Sequence, residues 1–132
     1  MKINKKNLKK INNWASKRGF TIHWGDSDYV LPLLGEIHIK SNKYELYSLL
    51  HECGHISLFD KNSYSKKYKV LEMAESNGHL KKTNLYKYQK MREEISAWEV
   101  GYKLSKKLKI KVDKKEYFNE AAKWVGTYRR LL

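Results

Sequence analysis

A chain of 132 residues with 41% hydrophobic and 32% charged side chains, one proline and seven glycines reads as one folded domain spanning 1–132, and these proportions exclude a disordered chain. Cys53 is the only cysteine, which excludes an internal disulfide; no apolar run is long enough to span a bilayer, and the opening MKINKKNLKK has no apolar stretch behind it, so a cytoplasmic protein without membrane contact is expected. The net charge of +14 is mostly lysine spread along the chain with no nucleic-acid-binding motif, so solvated lysines explain it best, with non-specific nucleic-acid affinity at low salt.

In chain order, Leu8, Ile11, Trp14 and Ala15 fall at helical spacing within Asn4–Arg18, and Gly19 suits the position just past a helix end. Phe20–Trp24 is rich in β-branched and aromatic residues and predicts a strand, and Gly25–Asp28 a turn. Tyr29–Leu34 predicts a second extended piece, in which Pro32 cannot donate a ladder hydrogen bond. Glu36–Lys40 alternates and predicts a third strand, with Ile37 and Ile39 on one face and His38 on the other. Asn42, with Glu45 three residues on, signals the start of a helix over Tyr44–Phe59 that ends near Asp60–Asn62. The third strand leads straight into this helix and is expected to lie beside it, where an exposed edge could hold an extended peptide by main-chain hydrogen bonds.

Ser63–Lys69 predicts a loop, Val70–Ser76 a short helix and Asn77-Gly78 a turn. A long helix over about Leu85–Lys109 carries Tyr88, Met91, Ile95, Trp98 and Tyr102 in one stripe. Lys109–Val112 reads as a connector. Asp113–Glu116 forms a second capping signature, opening a last helix with Tyr117, Phe118, Ala121, Trp124, Val125, Tyr128 and Leu131 on its apolar side. The order of elements predicts an α+β fold: a helix and a small sheet, a central helix, then long helices that close over it.

The central helix holds His51-Glu52-Cys53-Gly54-His55, an H-E-x-x-H pattern. Residues four apart share a helix face, so His51 and His55 can point at a single ion, and zinc takes imidazole nitrogen readily. Glu52, one residue on, can reach a water at that ion without ligating it, as a general base requires. Cys53 lies two positions from each histidine and faces away, as a buried structural thiol. Catalytic zinc usually takes a third protein ligand. Candidates are Glu72, Glu75, His79, Glu93, Glu94 and Glu99. Against the arc of Met91, Ile95, Trp98 and Tyr102, Glu93 points away and reads as solvated. Glu94 and Glu99 flank the arc on opposite sides. Glu94 lies on the side of Ala97 and Gly101, where small residues let another helix come close.

His-Glu-Cys-Gly-His followed by Glu94-Ile95-Ser96-Ala97-Trp98 and Gly101 resembles small phage and prophage zinc metallopeptidase-like proteins, which carry H-E-x-G-H and then E-x-x-A-W. In layout these are related to the ImmA/IrrE-type peptidases and, more distantly, to other zincins. The specific matches cover residues 51–55 and 94–101, and Cys53 stands where the family has an aliphatic residue. The resemblance implies a minimal zincin fold, His51, His55 and Glu94 as zinc ligands, and Glu52 as catalytic base. Glu75, at a gluzincin-like spacing, and His79, in a SprT-like arrangement, rank behind Glu94. The expected function is zinc-dependent hydrolysis of a protein or peptide substrate, as a regulatory protease in a bacterium or phage-infected host. The alternative is a non-catalytic, zinc-stabilised module whose basic surface contacts DNA or a partner protein. Tyr64, Tyr68 or His38 could donate to an oxyanion, but each reads first as an ordinary structural or surface residue and none is assigned to the site.

Overall fold

Local capping chemistry sets the helix ends. The Asn4 side chain accepts from the Asn7 N–H at 2.8 Å and opens α1, Lys5–Ser16. Gly19 then turns left-handed at φ 80, and the Phe20 N–H reaches back to the Ala15 carbonyl at 2.9 Å. This closure satisfies an otherwise orphaned carbonyl and drops Phe20 into the core. The structure, a computed structural model, describes residues 2–62 and 84–129.

Three short strands follow: β1 (Thr21–Gly25), β2 (Tyr29–Leu31) and β3 (Glu36–Lys40). Their order in the sheet is β1-β3-β2, with β1 parallel and β2 antiparallel to β3. The second extended piece is shorter than the sequence suggests. After Leu31 the chain turns at Pro32–Gly35, where the Gly35 N–H reaches the Pro32 carbonyl at 3.3 Å and Gly35 takes φ 66. The register aligns Ile22, Ile37 and Val30 on the core face. On the other face it aligns His23, His38 and Tyr29, whose rings stack at 5.0 and 4.4 Å.

This topology leaves the third strand no exposed edge on which a peptide could pair. β3 is paired on both sides, and the edges belong to β1 and β2. Adjacency in sequence places β3 next to the central helix, but strand pairing depends on the two earlier strands claiming its two sides.

The central helix α2 spans Glu45–Asn62. Asn42 caps it through the Tyr44 N–H at 2.7 Å. Glu45 does not turn back to the Asn42 N–H as a capping box would. Its two oxygens accept instead from the Ser41 hydroxyl at 2.9 Å and the Ile3 N–H at 3.2 Å, tying the N-terminal segment to the helix. Leu46, Tyr47, Leu49, Leu50, Cys53 and Ile56 are all buried, so α2 is covered on most of its circumference. The sheet packs on one side of it and α3, Asn84–Lys107, on the other.

Small residues bring α2 and α3 together. A Cβ on Gly54 would collide with the Ala97 carbonyl, and one on Gly101 would meet the Leu50 carbonyl and lie 2.7 Å from the Tyr117 hydroxyl. The face of α3 that turns inward carries Glu93, Glu94, Ala97, Trp98, Gly101, Leu104 and Ser105. It lies about a quarter turn from the apolar stripe predicted from sequence. Of that stripe Trp98 is buried, whereas Tyr88 and Ile95 are exposed. α3 closes like α1, with Lys109 left-handed at φ 57 and the Ile110 N–H on the Ser105 carbonyl at 2.8 Å. Asp113 caps α4, Lys114–Arg129, through the Glu116 N–H at 2.8 Å. Tyr117 and Ala121 bury as expected, and Trp124 is exposed. Among the described residues no helix is long and apolar enough to cross a membrane.

Candidate metal centre

The crossing of α2 and α3 builds the site. Helical spacing puts His51 and His55 one turn apart, and the Gly54–Ala97 contact brings α3 close enough for Glu94 to meet both. Glu94 Oε2 lies 2.7 Å from His51 Nε2 and 3.2 Å from His55 Nε2, and the two Nε2 atoms are 3.0 Å apart. These residues form a group able to hold one metal ion. A tetrahedral ion with bonds of 2.0–2.1 Å separates its ligand atoms by roughly 3.3 Å, which is close to the triangle found. The donor set, two imidazoles and a carboxylate, suits zinc and other borderline cations.

Charge supports the same fit. Glu52, Glu93 and Glu94 are 6%, 8% and 7% exposed, three buried carboxylates within one cluster. Buried carboxylates need cationic partners. Lys90 supplies one positive charge, at 3.9 Å from Glu93 and 4.0 Å from Glu94. In the metal-free protein protons supply the rest. Burial alone would lower the pKa of His55, but the Glu93 and Glu94 carboxylates push it up to about 10. Burial likewise works against ionisation of Glu94, yet its hydrogen bonds to His51 and His55 hold its carboxyl well below the usual carboxylate range. A divalent ion would take over the role of those protons.

Glu52 is buried beside this cluster, its Oε1 3.6 Å from His51 Nδ1, too far for a hydrogen bond. Burial raises its pKa against the pull of both histidines. Cys53 is free and fully buried, as expected from sequence, and burial pushes its thiol well above the ordinary range.

The expectation for Glu93 is overturned. It is buried, and its Oε1 lies 3.1 Å from His55 Nδ1. The apolar stripe placed it on the solvent side, but the packed face of α3 is set by the small residues Ala97 and Gly101 and the site-forming glutamates, with Trp98 at its border with the stripe. The adjacent pair Glu93-Glu94 beside the H-E-x-x-H helix was the signal available. Trp98 also joins the site, stacked on His51 at 4.3 Å and 6°. Glu99 is exposed. His38 sits on the sheet face opposite the core residues Ile37 and Ile39, bonded to Glu36 at 2.9 Å, and is not brought to the cluster. Tyr64, Tyr68, Glu72, Glu75 and His79 lie outside the described residues.

The helix order, the small sheet and the His51-Glu52-x-x-His55 plus Glu94 arrangement together match the layout of a minimal zincin, with the His/His/Glu geometry of a zinc-metallopeptidase active site. No protein-family profile, curated protein or solved structure matches the chain.

Proposed function

We propose that this protein is a zinc-dependent metallopeptidase in which His51, His55 and Glu94 hold the metal and Glu52 is the catalytic base. The convergence of two imidazole nitrogens and one carboxylate oxygen within 4.8 Å of one another carries the reading. Bound there, zinc would supply Lewis acidity, lowering the pKa of a water at the open position and polarising a peptide carbonyl. Glu52 would take the proton of the attacking water and hand it to the leaving amine nitrogen. Burial raises its pKa above the ordinary carboxyl value, which makes the carboxylate a stronger base toward the proton of water. A buried carboxylate beside the cluster is also an unneeded cost in a purely structural zinc site, which favours an enzyme over a zinc-stabilised binding module. The His-Glu-Cys-Gly-His and Glu-Ile-Ser-Ala-Trp segments support kinship with phage and prophage peptidases of ImmA/IrrE-like layout, hence a cytoplasmic regulatory protease with a protein or peptide substrate.

Metal analysis of purified wild type beside Glu94→Ala and Glu75→Ala tests the ligand set. Wild type and Glu75→Ala should carry zinc, and Glu94→Ala should lose it. Glu52→Gln should keep zinc while hydrolysis of a casein-like substrate falls by about 10²–10⁴-fold. Full activity in that variant would sink the mechanism. Salt-sensitive DNA binding by a protein without hydrolytic activity would favour the binding module instead.

A further inference from the structure

We propose that Glu93 is a positioning residue for the metal centre: its carboxylate fixes the ring and tautomer of His55 so that Nε2 presents its lone pair to the ion. The inference rests on the zinc reading above. Glu93 Oε1 lies 3.1 Å from His55 Nδ1, and Glu93 is 8% exposed, so water competes little for that bond. An ionised carboxylate can only accept, so the proton of the ring is held on Nδ1. Nε2 is then the nitrogen left for a metal, and it faces His51 Nε2 at 3.0 Å and Glu94 Oε2 at 3.2 Å.

Glu93 is not itself a ligand candidate. The bonded oxygen meets the ring on its Nδ1 side, and the convergent cluster contains His51, His55 and Glu94 without it. Its second oxygen is directed to Lys90, 3.9 Å away, which offsets the cost of burying a further negative charge beside Glu94. The two neighbouring glutamates of α3 thus divide the work on one imidazole: Glu94 meets Nε2 and Glu93 meets Nδ1. A carboxylate on the far nitrogen also makes the ring a stronger donor to the ion.

Competition with a chromophoric zinc chelator, run on wild type, Glu93→Gln and Glu93→Ala, tests this. Glu93→Ala should bind zinc about 10–100-fold more weakly. Glu93→Gln keeps a carbonyl that accepts from Nδ1–H and should lie between the two. Zinc affinity of Glu93→Ala within twofold of wild type would overturn the proposal. Equal losses in both variants would also overturn it, since they would show that charge matters and ring orientation does not. Should Glu93→Ala fail to fold, Glu93→Met, which fills the same space without accepting from Nδ1–H, takes its place in the same competition. A loss of about 10–100-fold supports the positioning role, and affinity within twofold of wild type, or equal to that of Glu93→Gln, overturns it. A wild type that takes up neither zinc nor cobalt would remove the zinc reading and this inference with it, an outcome distinct from wild-type binding that Glu93 does not affect.

Discussion

His51 and His55 sit one turn apart on the same helix and meet the same oxygen of Glu94, yet they are held in different ways. His55 is gripped electrostatically, with Glu93 on Nδ1 and Glu94 near Nε2. His51 also meets Glu94, at 2.7 Å from Nε2, but away from that bond it is held by shape: the Trp98 indole lies flat against its ring at 4.3 Å, and the Glu52 oxygen on its Nδ1 side is 3.6 Å away. Stacking fixes the plane of a ring without choosing which nitrogen carries the proton. A hydrogen bond to a carboxylate chooses both. The difference leaves Glu52 free of a hydrogen bond to His51, as its proposed role of base requires.

The largest expected effect tests the shape side. Trp98 is 2% exposed, and Trp98→Ala should cost about 3–5 kcal/mol in stability, read by urea unfolding. Trp98→Phe keeps an aromatic face against His51 and should recover most of the zinc affinity lost in Trp98→Ala. If it recovers none, stacking does not hold His51. Next, Gly54→Ala should cost about 1–3 kcal/mol, because the added methyl meets the Ala97 backbone and must push the helices apart. Since Glu94 then retreats from both histidines, their imidazole resonances should shift together, whereas Trp98 and Glu93 variants should each shift one.

Acid and base sharpen the electrostatic side. In the metal-free protein the pKa of His55 is raised from 6.5 to about 10, so its stabilising contribution is complete below pH 6.5 and lost as pH rises through about 10. Glu94 runs the other way: its carboxyl is held low, so its contribution is present above about pH 4.5 and lost on acidification. Melting of the metal-free protein should therefore weaken above about pH 9, and the zinc-loaded protein should resist that loss. Zinc uptake at pH 8 should release about one proton, measured calorimetrically in buffers of different ionisation heat. The smallest effect belongs to Lys90, at 27% side-chain exposure and about 4.0 Å from either carboxylate. Lys90→Met should change stability by about 1 kcal/mol or less in thermal unfolding, with the loss shrinking at high salt.

Much of the site was legible in one dimension because its grammar is local. The i, i+4 spacing of His51 and His55 needs only a helix, and the caps at Asn42 and Asp113 mark where helices begin. Ala97 and Gly101 beside Glu94 signalled a close helix crossing, and that crossing is where Glu94 meets the histidines. Periodicity failed on α3 for a related reason. It weighs side chains by hydrophobicity, and so favours Tyr88 and Ile95, which are exposed, over a face lined by small residues and two glutamates.

The helices, the strands of the sheet, the two histidines and the buried cysteine follow from sequence because each depends on neighbours within a turn or a strand. The pairing of β3 on both edges, the burial of Glu93 and the stacking of Trp98 on His51 do not. Each depends on which surfaces meet across the fold, and that is settled by the close approach of Gly54 to Ala97 and by the charge three buried carboxylates must share.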